Sequence, residues 1–552
     1  MFVRIKTSPN TKKTSVQIVK NMKVEGKVKQ KIIRHVGSAI DKDEIEQLKN
    51  LAEYILLKID IAESRQLTLF SPEEILKIII ESRSKNSKKS IKVDINNLRE
   101  EQRVVVGIHE VYGQVYKEIG FDKVFKNPVR NKGYNEKLYN LVMARIANPD
   151  SKRGSVNNLE KNFGVSINLD SVYRMMDKLN DKVIDDIQEI AFKNTQDLLN
   201  QEVDAIFYDA TTLYFESFTE DGFREKGYSK DMKFNQTQVL LALLVTKEGL
   251  PIGYELYPGS KYEGSTLSDS INKVKTKYKI NNIVFVADSG LLNKDNLDYL
   301  EKNNYKYIVG SRIKNSTKSV KEKILKIEEY SELTDDLKYK DLENEESRRL
   351  VVSYSMKRAR KDKYDRDMAI NKLLKKLEKT KNPESLISNY GYKKFLNLEG
   401  DCKIELNEEK IKAEEARDGL HGVMTNMKDE SVSFILSQYK NLWKIEETFR
   451  ISKHDLKMRP IYHYTENRIK AHIAICFIAL CCVRNLEYRI SKQQTKLSVK
   501  RIRDELLSYQ ASILKDISTD KKYCIPSVIT EEVRKIYKVI GVNITNSPFE
   551  LA

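Results

Sequence analysis

At about residue 202 the sequence changes from helix-like periodicity to short apolar runs, and this change constrains the fold more than any other feature. The runs Val203–Phe215, Gln238–Thr246 and Pro251–Tyr257 are rich in β-prone residues and predict three strands in a meander. Predicted helices and strands then alternate: helices at Ser265–Tyr278 and Lys294–Asn303, strands at Ile283–Ala287 and Tyr305–Gly310. This order predicts a mixed α/β sheet with helices packed on it.

Two acidic residues mark these predicted strands. Asp209 lies within the first strand, and Asp288 directly follows the fourth. In α/β sheets functional groups collect at strand ends, where a side chain faces a crevice. A carboxylate there is costly to bury unless it is paired or bound to a cation. Both residues are therefore candidate metal ligands, although an Asx-turn at Asp209 and a helix N-cap at Asp288 fit the same pattern.

A third candidate acid, Glu446, lies on a long predicted helix. The surrounding stretch contains no Gly, so Ser433–Lys457 can form one uninterrupted helix. At 100° per residue, the side of the helix that carries Glu446 also carries one Tyr and three cations: Tyr439, Arg450, Lys453 and Lys457. One carboxylate beside three cations suits a metal ligand flanked by phosphate-binding groups. The same pattern fits a solvated helix face on which Glu446 and Arg450, four residues apart, form an ordinary ion pair.

The charge distribution indicates a polyanionic partner. Lys and Arg exceed Asp and Glu by 98 − 80 = 18. Residues 1–40 carry ten basic side chains and one acid, so half of the net charge lies there. The strand-like runs Phe2–Ile5, Thr14–Val19 and Lys31–Val36 predict a small basic ribbon. Clustered cations bind DNA phosphates by releasing counterions, and a solubilising arm is the alternative.

Helical periodicity fills the region between this ribbon and residue 202. The motif Asn162–Leu179 is typical of a helix, a turn and a second helix, which is a weak sign of DNA binding. The other predicted helices are Asp41–Glu63, Pro72–Glu81, Glu136–Asn148 and Ser171–Gln201.

Cysteine usage and hydropathy indicate a protein of a reducing cytoplasm. There are five Cys, an odd number, and they form no CxxC pair. The longest apolar stretch, Ile473–Val483, is shorter than the roughly 18 residues of a membrane span, which predicts a buried helix and no membrane partner.

The sequence resembles insertion-sequence transposases of the DDE type, in the branch with a Tyr-x2-Arg-x3-Glu-x6-Lys signature. The segment YKNLWKIEETFRISK supplies Tyr439, Glu446 and Lys453 at this spacing, while Leu442 stands at the Arg position. The segments FYDATTLYFES, VADSGLL and RPIYHYTENRIKAHI also resemble the family, so the resemblance covers most of residues 203–490.

The resemblance implies an RNase H-like catalytic core with Asp209, Asp288 and Glu446 as catalytic acids. They would hold two Mg²⁺ ions, with Mn²⁺ as a substitute, and Asp209 would bridge them. The family cleaves double-stranded DNA at terminal inverted repeats and joins the ends to target DNA; part of the superfamily passes through a hairpin. A homodimer in a prokaryotic, nucleoid-associated setting is also implied. The candidate DNA-binding residues are Tyr439, Lys453, Arg450, Lys457, Arg224 and Lys230.

The distance along the chain between the second and third acids predicts an insertion. Asp288 and Glu446 are 446 − 288 = 158 residues apart, far more than one strand-to-helix connection needs. We therefore predict an RNase H-like mixed sheet with flanking helices, interrupted by an α+β insertion domain. The predicted domains are a ribbon at 1–40, a helical DNA-binding region at 41–201, a catalytic domain at 202–317 and 418–490, the insertion at 318–417, and a C-terminal helical region at 491–552.

Two other functions are compatible with the sequence. A structure-specific nuclease of the RNase H type would share the three acids and lack strand transfer. A DNA-binding regulator derived from a transposase would bind DNA without metal-dependent cleavage.

Overall fold

The computed structural model groups the strands it describes into four sheets. It describes residues 2–52 and 92–551 except for 8–13, 25–26, 40, 42–43, 47, 50, 128, 201–202, 204, 229–234, 279–283, 292, 345, 347, 380–394, 400–402 and 494–495.

The N-terminal sheet is a three-stranded antiparallel ribbon. Its strands are β1 (Phe2–Thr7), β2 (Thr14–Val24) and β3 (Lys27–Ala39). Val16 and Ile18 of β2 are fully buried, because alternate residues of a strand share one face. The predicted ribbon is therefore confirmed as a structure. The predicted helix Asp41–Glu63 is described only in part, and Pro72–Glu81 lies outside the described residues.

Between residues 98 and 198 the structure describes one strand and five α-helices. They are β4 (Leu98–Val105), α1 (Gly107–Ile119), α2 (Lys132–Ala147), α3 (Lys152–Phe163), α4 (Leu169–Met176) and α5 (Asp181–Leu198). The predicted helix–turn–helix is confirmed at α3 and α4, which Gly164 separates in a left-handed conformation (φ 71°). The single helix predicted at Ser171–Gln201 is wrong. Asn180 caps a new helix there by accepting a hydrogen bond from the Val183 N–H.

The largest sheet has nine strands and is built around the predicted meander. Strands β5, β6 and β7 are antiparallel neighbours, whereas β5, β8 and β9 run parallel. The order β7-β6-β5-β8-β9 with its covering helices is the mixed α/β arrangement that the sequence predicts. These elements are β5 (Ala205–Tyr214), β6 (Gln238–Thr246), β7 (Pro251–Pro258), α6 (Thr266–Tyr278), β8 (Val284–Ala287), α7 (Lys294–Lys302) and β9 (Lys306–Ser311).

The predicted insertion begins by widening this sheet. Its first half adds three strands in the order β10-β11-β12-β15-β9, so it continues the main sheet and does not form a separate layer. The domain boundaries themselves remain predictions. The insertion and the return strand consist of α8 (Lys318–Leu325), β10 (Ser331–Thr334), β11 (Leu337–Glu343), β12 (Arg349–Ser355), α9 (Met356–Lys379), β13 (Leu396–Glu399), β14 (Lys403–Leu406), α10 (Glu408–Glu415) and β15 (Leu420–Thr425).

Three helical segments cover one face of the sheet after β15. Segment α11 spans Val432–Lys440, α12 spans Trp443–Arg450, and a π-helical turn at Ile451–Asp455 follows. The next helix, α13 (Glu466–Lys492), is long and apolar enough to cross a membrane by length and composition, but 94% of its apolar window is buried inside the protein. The predicted buried helix is thus confirmed.

The C-terminal region is not purely helical as predicted. Its strands join β4 in a fourth sheet of order β18-β17-β16-β4. The segment QASILKD alternates apolar and polar residues only weakly, so its strand character depends on pairing with residues about 400 positions earlier. The elements are α14 (Val499–Ser508), β16 (Gln510–Asp516), β17 (Lys522–Pro526), α15 (Glu531–Ile540) and β18 (Phe549–Leu551).

A buried histidine of α1 predicts a loss of stability in acid. Burial lowers the pKa of His109 to about 4. An unfolded chain, with a His pKa of about 6.5, therefore binds more protons than the folded chain between about pH 6.5 and 4, and stability falls as the pH falls through this range. When the pH falls from about 7 to 4.5, we expect the unfolding free energy of His109→Leu to drop by about 2 kcal/mol less than that of wild type. Urea unfolding at each pH measures this difference. The exposed His35→Gln is the control, and equal losses in wild type and His109→Leu would contradict the prediction.

Candidate active site

Two of the three predicted acids lie side by side where two neighbouring parallel strands stop pairing: Asp209 is within β5, and Asp288 directly follows β8. Tyr208 of β5 pairs with Ala287 of β8, and Asp209 and Asp288 are the next residues along the chain. Neighbouring strands are about 4.8 Å apart, so the two residues start from adjacent backbone positions. Asp209 is half-buried and Asp288 is exposed.

Both carboxylates project from the face that α11 and α12 cover. Phe207 and Val286, two residues before each acid, belong to the same buried cluster as Ile445 of α12. Because side chains two apart on a strand share a face, Asp209 points to that side. Asp288 does so as well, since the Tyr439 hydroxyl of α11 donates a hydrogen bond to its Oδ1 over 3.5 Å.

Glu446 lies on α12, which packs against β5 and β6. Its side chain is exposed and makes no ion pair or hydrogen bond with any residue that the structure describes. Its negative charge nevertheless acts on Tyr439, as that of Asp288 does. The third acid therefore stands at the same end of the sheet as the other two.

The uninterrupted helix predicted for Ser433–Lys457 is wrong. The chain passes from α11 to α12 through a tight turn, in which Leu442 N–H donates to Tyr439 O (3.0 Å) and Ile445 N–H donates to Leu442 O (3.1 Å). These bonds span three residues and not four, which tightens the helix. The turn directs Leu442 into the core at 7% exposure, because burial of its side chain outweighs helical continuity.

The surroundings of Tyr439 keep its hydroxyl protonated. Burial, and then the negative charge of Asp288, raise the pKa of Tyr439. Its ring packs against His421 of β15 with 5.0 Å between centroids, and Gly310 of β9 leaves room for its hydroxyl. A phenol held in this way can donate a hydrogen bond to an anion throughout the physiological pH range.

The predicted cations of the helix take different positions. Lys453 reaches the β5 side, where its Nζ bonds the Thr211 hydroxyl, two residues beyond Asp209 on the same face. Arg450 is exposed and lies 3.8 Å from a carboxylate oxygen of Asp455. Lys457 is exposed in a left-handed turn (φ 42°). Lys453 thus contacts the strand that carries the first aspartate.

Of the two candidate DNA-binding residues in the loop between β5 and β6, one is buried and the other is not described. Arg224 is only 6% exposed and its Nε donates to Asp221 Oδ2 over 2.7 Å, so in this structure it is directed into the protein. Lys230 lies outside the described residues.

The donor chemistry of the site fits a hard divalent cation, but the acids are not closely assembled. Two adjacent carboxylates with a third on the covering helix are oxygen ligands of the kind Mg²⁺ prefers. No three His, Cys, Asp or Glu side chains lie close enough together to hold a metal ion among the residues that the structure describes. Closer approach of the three acids is therefore required for shared coordination.

Sequence reasoning missed two residues near the site, His421 and Arg358. Burial lowers the pKa of His421 to about 4, and the positive charge of Arg358 acts in the same direction. Neither residue stands in a motif, and their placement depends on β12 pairing with β15 across 68 residues of chain. The basic run at the start of α9 was the available signal.

Comparison with protein families identifies two segments of the chain. A family described as "Transposase DDE domain" matches residues 201–482, just over half of the sequence. A family described as "IS1634 family transposase, N-terminal domain" matches residues 3–62, which include the basic ribbon. No curated protein matches the chain in sequence.

Similar solved structures include a piggyBac transposase synaptic complex with hairpin DNA, seen by cryo-electron microscopy. It has 10% sequence identity and a TM-score of 0.36, over 73% of this chain and 78% of that chain. A Mos1 transposase paired-end complex with the left transposon end has 14% identity and a TM-score of 0.14, over 29% of this chain and 53% of that chain. A Mos1 mariner paired-end complex with Mn has 13% identity and a TM-score of 0.13 over 29% and 54%.

Proposed function

We propose, from the premise that this chain belongs to the transposases with a DDE domain, that Asp209, Asp288 and Glu446 are its catalytic acids. The chain is a DNA transposase. The observation that carries the assignment is that Asp209 and Asp288 each directly follow a member of the last parallel pair of β5 and β8, Tyr208 and Ala287, on the sheet face that α12 covers.

The same three residues are the proposed metal ligands. We propose that Asp209, Asp288 and Glu446 would together hold two Mg²⁺ ions, with Mn²⁺ as a substitute. When bound, such ions supply activation of the attacking oxygen and stabilisation of the leaving oxygen. The exposed position of Glu446 leaves it free to approach the aspartates when DNA covers the site.

The other side chains of the site would hold the DNA strand. Tyr439, protonated and half-buried, is placed to donate a hydrogen bond to a phosphate oxygen near Asp288. Lys453 would bind a phosphate near Asp209 by exchanging its bond to Thr211 for one to the DNA. Arg450 and Lys457 are proposed contacts to the backbone farther along, since both are exposed. Arg224 would first have to leave Asp221.

The proposed partners are the terminal inverted repeats of its own insertion sequence and a target duplex. The basic ribbon suits sequence-independent contact with phosphates, because it concentrates half of the net charge. We propose a homodimer in the complex that pairs two ends, since both ends have to be processed together, and a nucleoid-associated location in a prokaryote.

The experiment that tests the function is cleavage and joining of its own DNA ends. The purified chain is incubated with a duplex ending in the repeat that flanks its reading frame, with a supercoiled target and with Mg²⁺. We expect Mg²⁺-dependent release of a 3′ end and its joining to the target. Binding without cleavage would favour the regulator, and cleavage without joining would favour the nuclease.

A change at Gly310 tests the proposed role of Tyr439. A Cβ added to Gly310 would lie 2.4 Å from the Tyr439 hydroxyl oxygen and 3.0 Å from the Ser289 backbone nitrogen. We expect Gly310→Ala to displace the phenol and lower the rate of end cleavage about 10- to 100-fold, because small misplacements in a site cost this much. Gly290→Ala is the matched control, since no atom lies within 4 Å of its added Cβ. Equal rates for the two variants would remove Tyr439 from the proposal.

A further inference from the structure

The start of α9 carries an arginine to the edge of the site. Residue Ser353 of β12 pairs with His421 of β15, and α9 begins three residues later. The first turn of α9 packs over Gly419, where an added Cβ would lie 2.9 Å from the Cβ of Ala359. This packing fixes Arg358, in the same turn, beside the β15 strand.

Arg358 is electrostatically coupled to the side chains around Asp288. Its positive charge acts on both rings of the stacked pair His421 and Tyr439, and it opposes the rise in the pKa of Tyr439 that burial causes. Tyr439 in turn donates a hydrogen bond to Asp288. Together with the packing of α9 on Gly419 and the pairing of Ser353 with His421, this places the start of α9 on the β15 side of the carboxylates.

The guanidinium of Arg358 is available for another anion. Its side chain is 51% exposed, and its ion pair with Asp362 spans 3.7 Å, longer than the 2.7–2.9 Å that is usual for a charge-assisted hydrogen bond. Arg366, two turns farther along α9, differs in both respects. It is 7% exposed and bonded to Asp418, so it stabilises the insertion.

The position of Arg358 complements that of Lys453. The sheet order β15-β9-β8-β5 places Arg358 on one side of the two aspartates and Lys453, at Thr211 of β5, on the other. Leu442 of the covering helices is buried and supplies no charge. A DNA strand crossing both aspartates would thus meet a cation on each side of them.

The geometry points to Arg358 as a binding residue for the DNA phosphate that lies next to Asp288, on the side opposite Lys453. This inference rests on the proposed function of the site. It assigns to the insertion a direct contact with the DNA strand being cut.

The test combines an arginine variant with neutral phosphates in the DNA. Wild type, Arg358→Ala, Arg358→Lys and Arg360→Ala cleave the flanking-repeat duplex, with single methylphosphonates placed in turn around the cleavage position. We expect Arg358→Ala to lower cleavage about 10- to 100-fold, as for loss of a charged hydrogen bond, and Arg358→Lys to recover part of it. At one phosphate position, a methylphosphonate should slow cleavage by wild type and leave the cleavage rate of Arg358→Ala unchanged. Arg360→Ala, at an exposed position in the same helix, should behave like wild type.

The inference is overturned if every methylphosphonate slows Arg358→Ala as much as wild type, or if Arg358→Ala and Arg360→Ala cleave equally. A purely structural role for Arg358 would give the first of these results. Failure of the proposed function gives a different pattern, in which wild type does not cleave or Asp288→Asn cleaves as well as wild type.

Discussion

Glu446→Gln is expected to lower DNA-end cleavage by about 1,000-fold or more while leaving DNA binding nearly unchanged. The substitution removes a negative charge from a proposed metal ligand, and the stabilisation of charge in a phosphoryl transition state depends on that ion. Because the Glu446 side chain is exposed and unpaired among the described residues, its loss should not lower stability. Cleavage rates at saturating Mg²⁺, thermal unfolding and gel-shift affinity measure the three effects separately. Asp209→Asn should cause a loss of activity of similar size.

The control for this prediction is an acid outside the site. Glu466, at the start of α13, is 53% exposed and pairs with Lys470 four residues along. Exposed pairs of this kind are worth about 0.5 kcal/mol or less, so Glu466→Gln should keep wild-type cleavage. Full activity of Glu446→Gln, or an equal loss in Glu466→Gln, would refute the catalytic assignment.

Arg484→Met is expected to cost about 3–5 kcal/mol of unfolding free energy, because it removes a buried charge that two half-buried carboxylates and a backbone carbonyl share. Arg484 of α13 is 3% exposed. Its Nη1 donates to Glu487 (2.6 Å) and to Glu447 of α12 (3.2 Å), and its Nε donates to the Gly249 carbonyl (2.9 Å). Burial already raises the pKa of Glu487, and Arg484 opposes that rise. Urea unfolding measures the loss, and cleavage should fall as well, since Glu447 directly follows Glu446.

The same helix supplies a matched control for this substitution. Arg489 is 24% exposed and pairs with Glu118 of α1 at the surface. We expect Arg489→Met to change the unfolding free energy by about 1 kcal/mol or less. The geometry indicates that the Arg484 contacts join α12 and the β6–β7 turn to the core. Similar losses of unfolding free energy in the two variants would contradict this.

The sheet could be predicted because its strands carry their own signal. The run Val239–Val245 is apolar throughout, and every residue of its strand, Gln238–Thr246, is buried. The two aspartates could be placed for the same reason, since Asp209 lies within one such strand and Asp288 directly follows another. Glu446 was harder, because its helix is interrupted where Leu442 enters the core, and helical periodicity does not register such a turn.

The features that could not be predicted depend on distant pairing. Strand β16 becomes a strand by pairing with β4, and neither has a strong local pattern. Arg358 and His421 meet the site only because β12 and β15 are neighbours in the same sheet as Asp288. Local propensity carries no information about such contacts, since they are set by the packing of the whole chain. The distances in space between the three acids likewise do not follow from their spacing along the sequence.

The pairing of β4 with β16 has a consequence for synthesis. Residues 98–105 emerge early from the ribosome, yet their hydrogen-bonding partners at 510–516 are translated only after the entire catalytic sheet. Until then β4 presents an open edge, which is prone to join other strands. A message cut short before codon 510 would yield a chain with all three acids and no closure of this sheet, so premature termination should produce aggregating protein and not a smaller working enzyme.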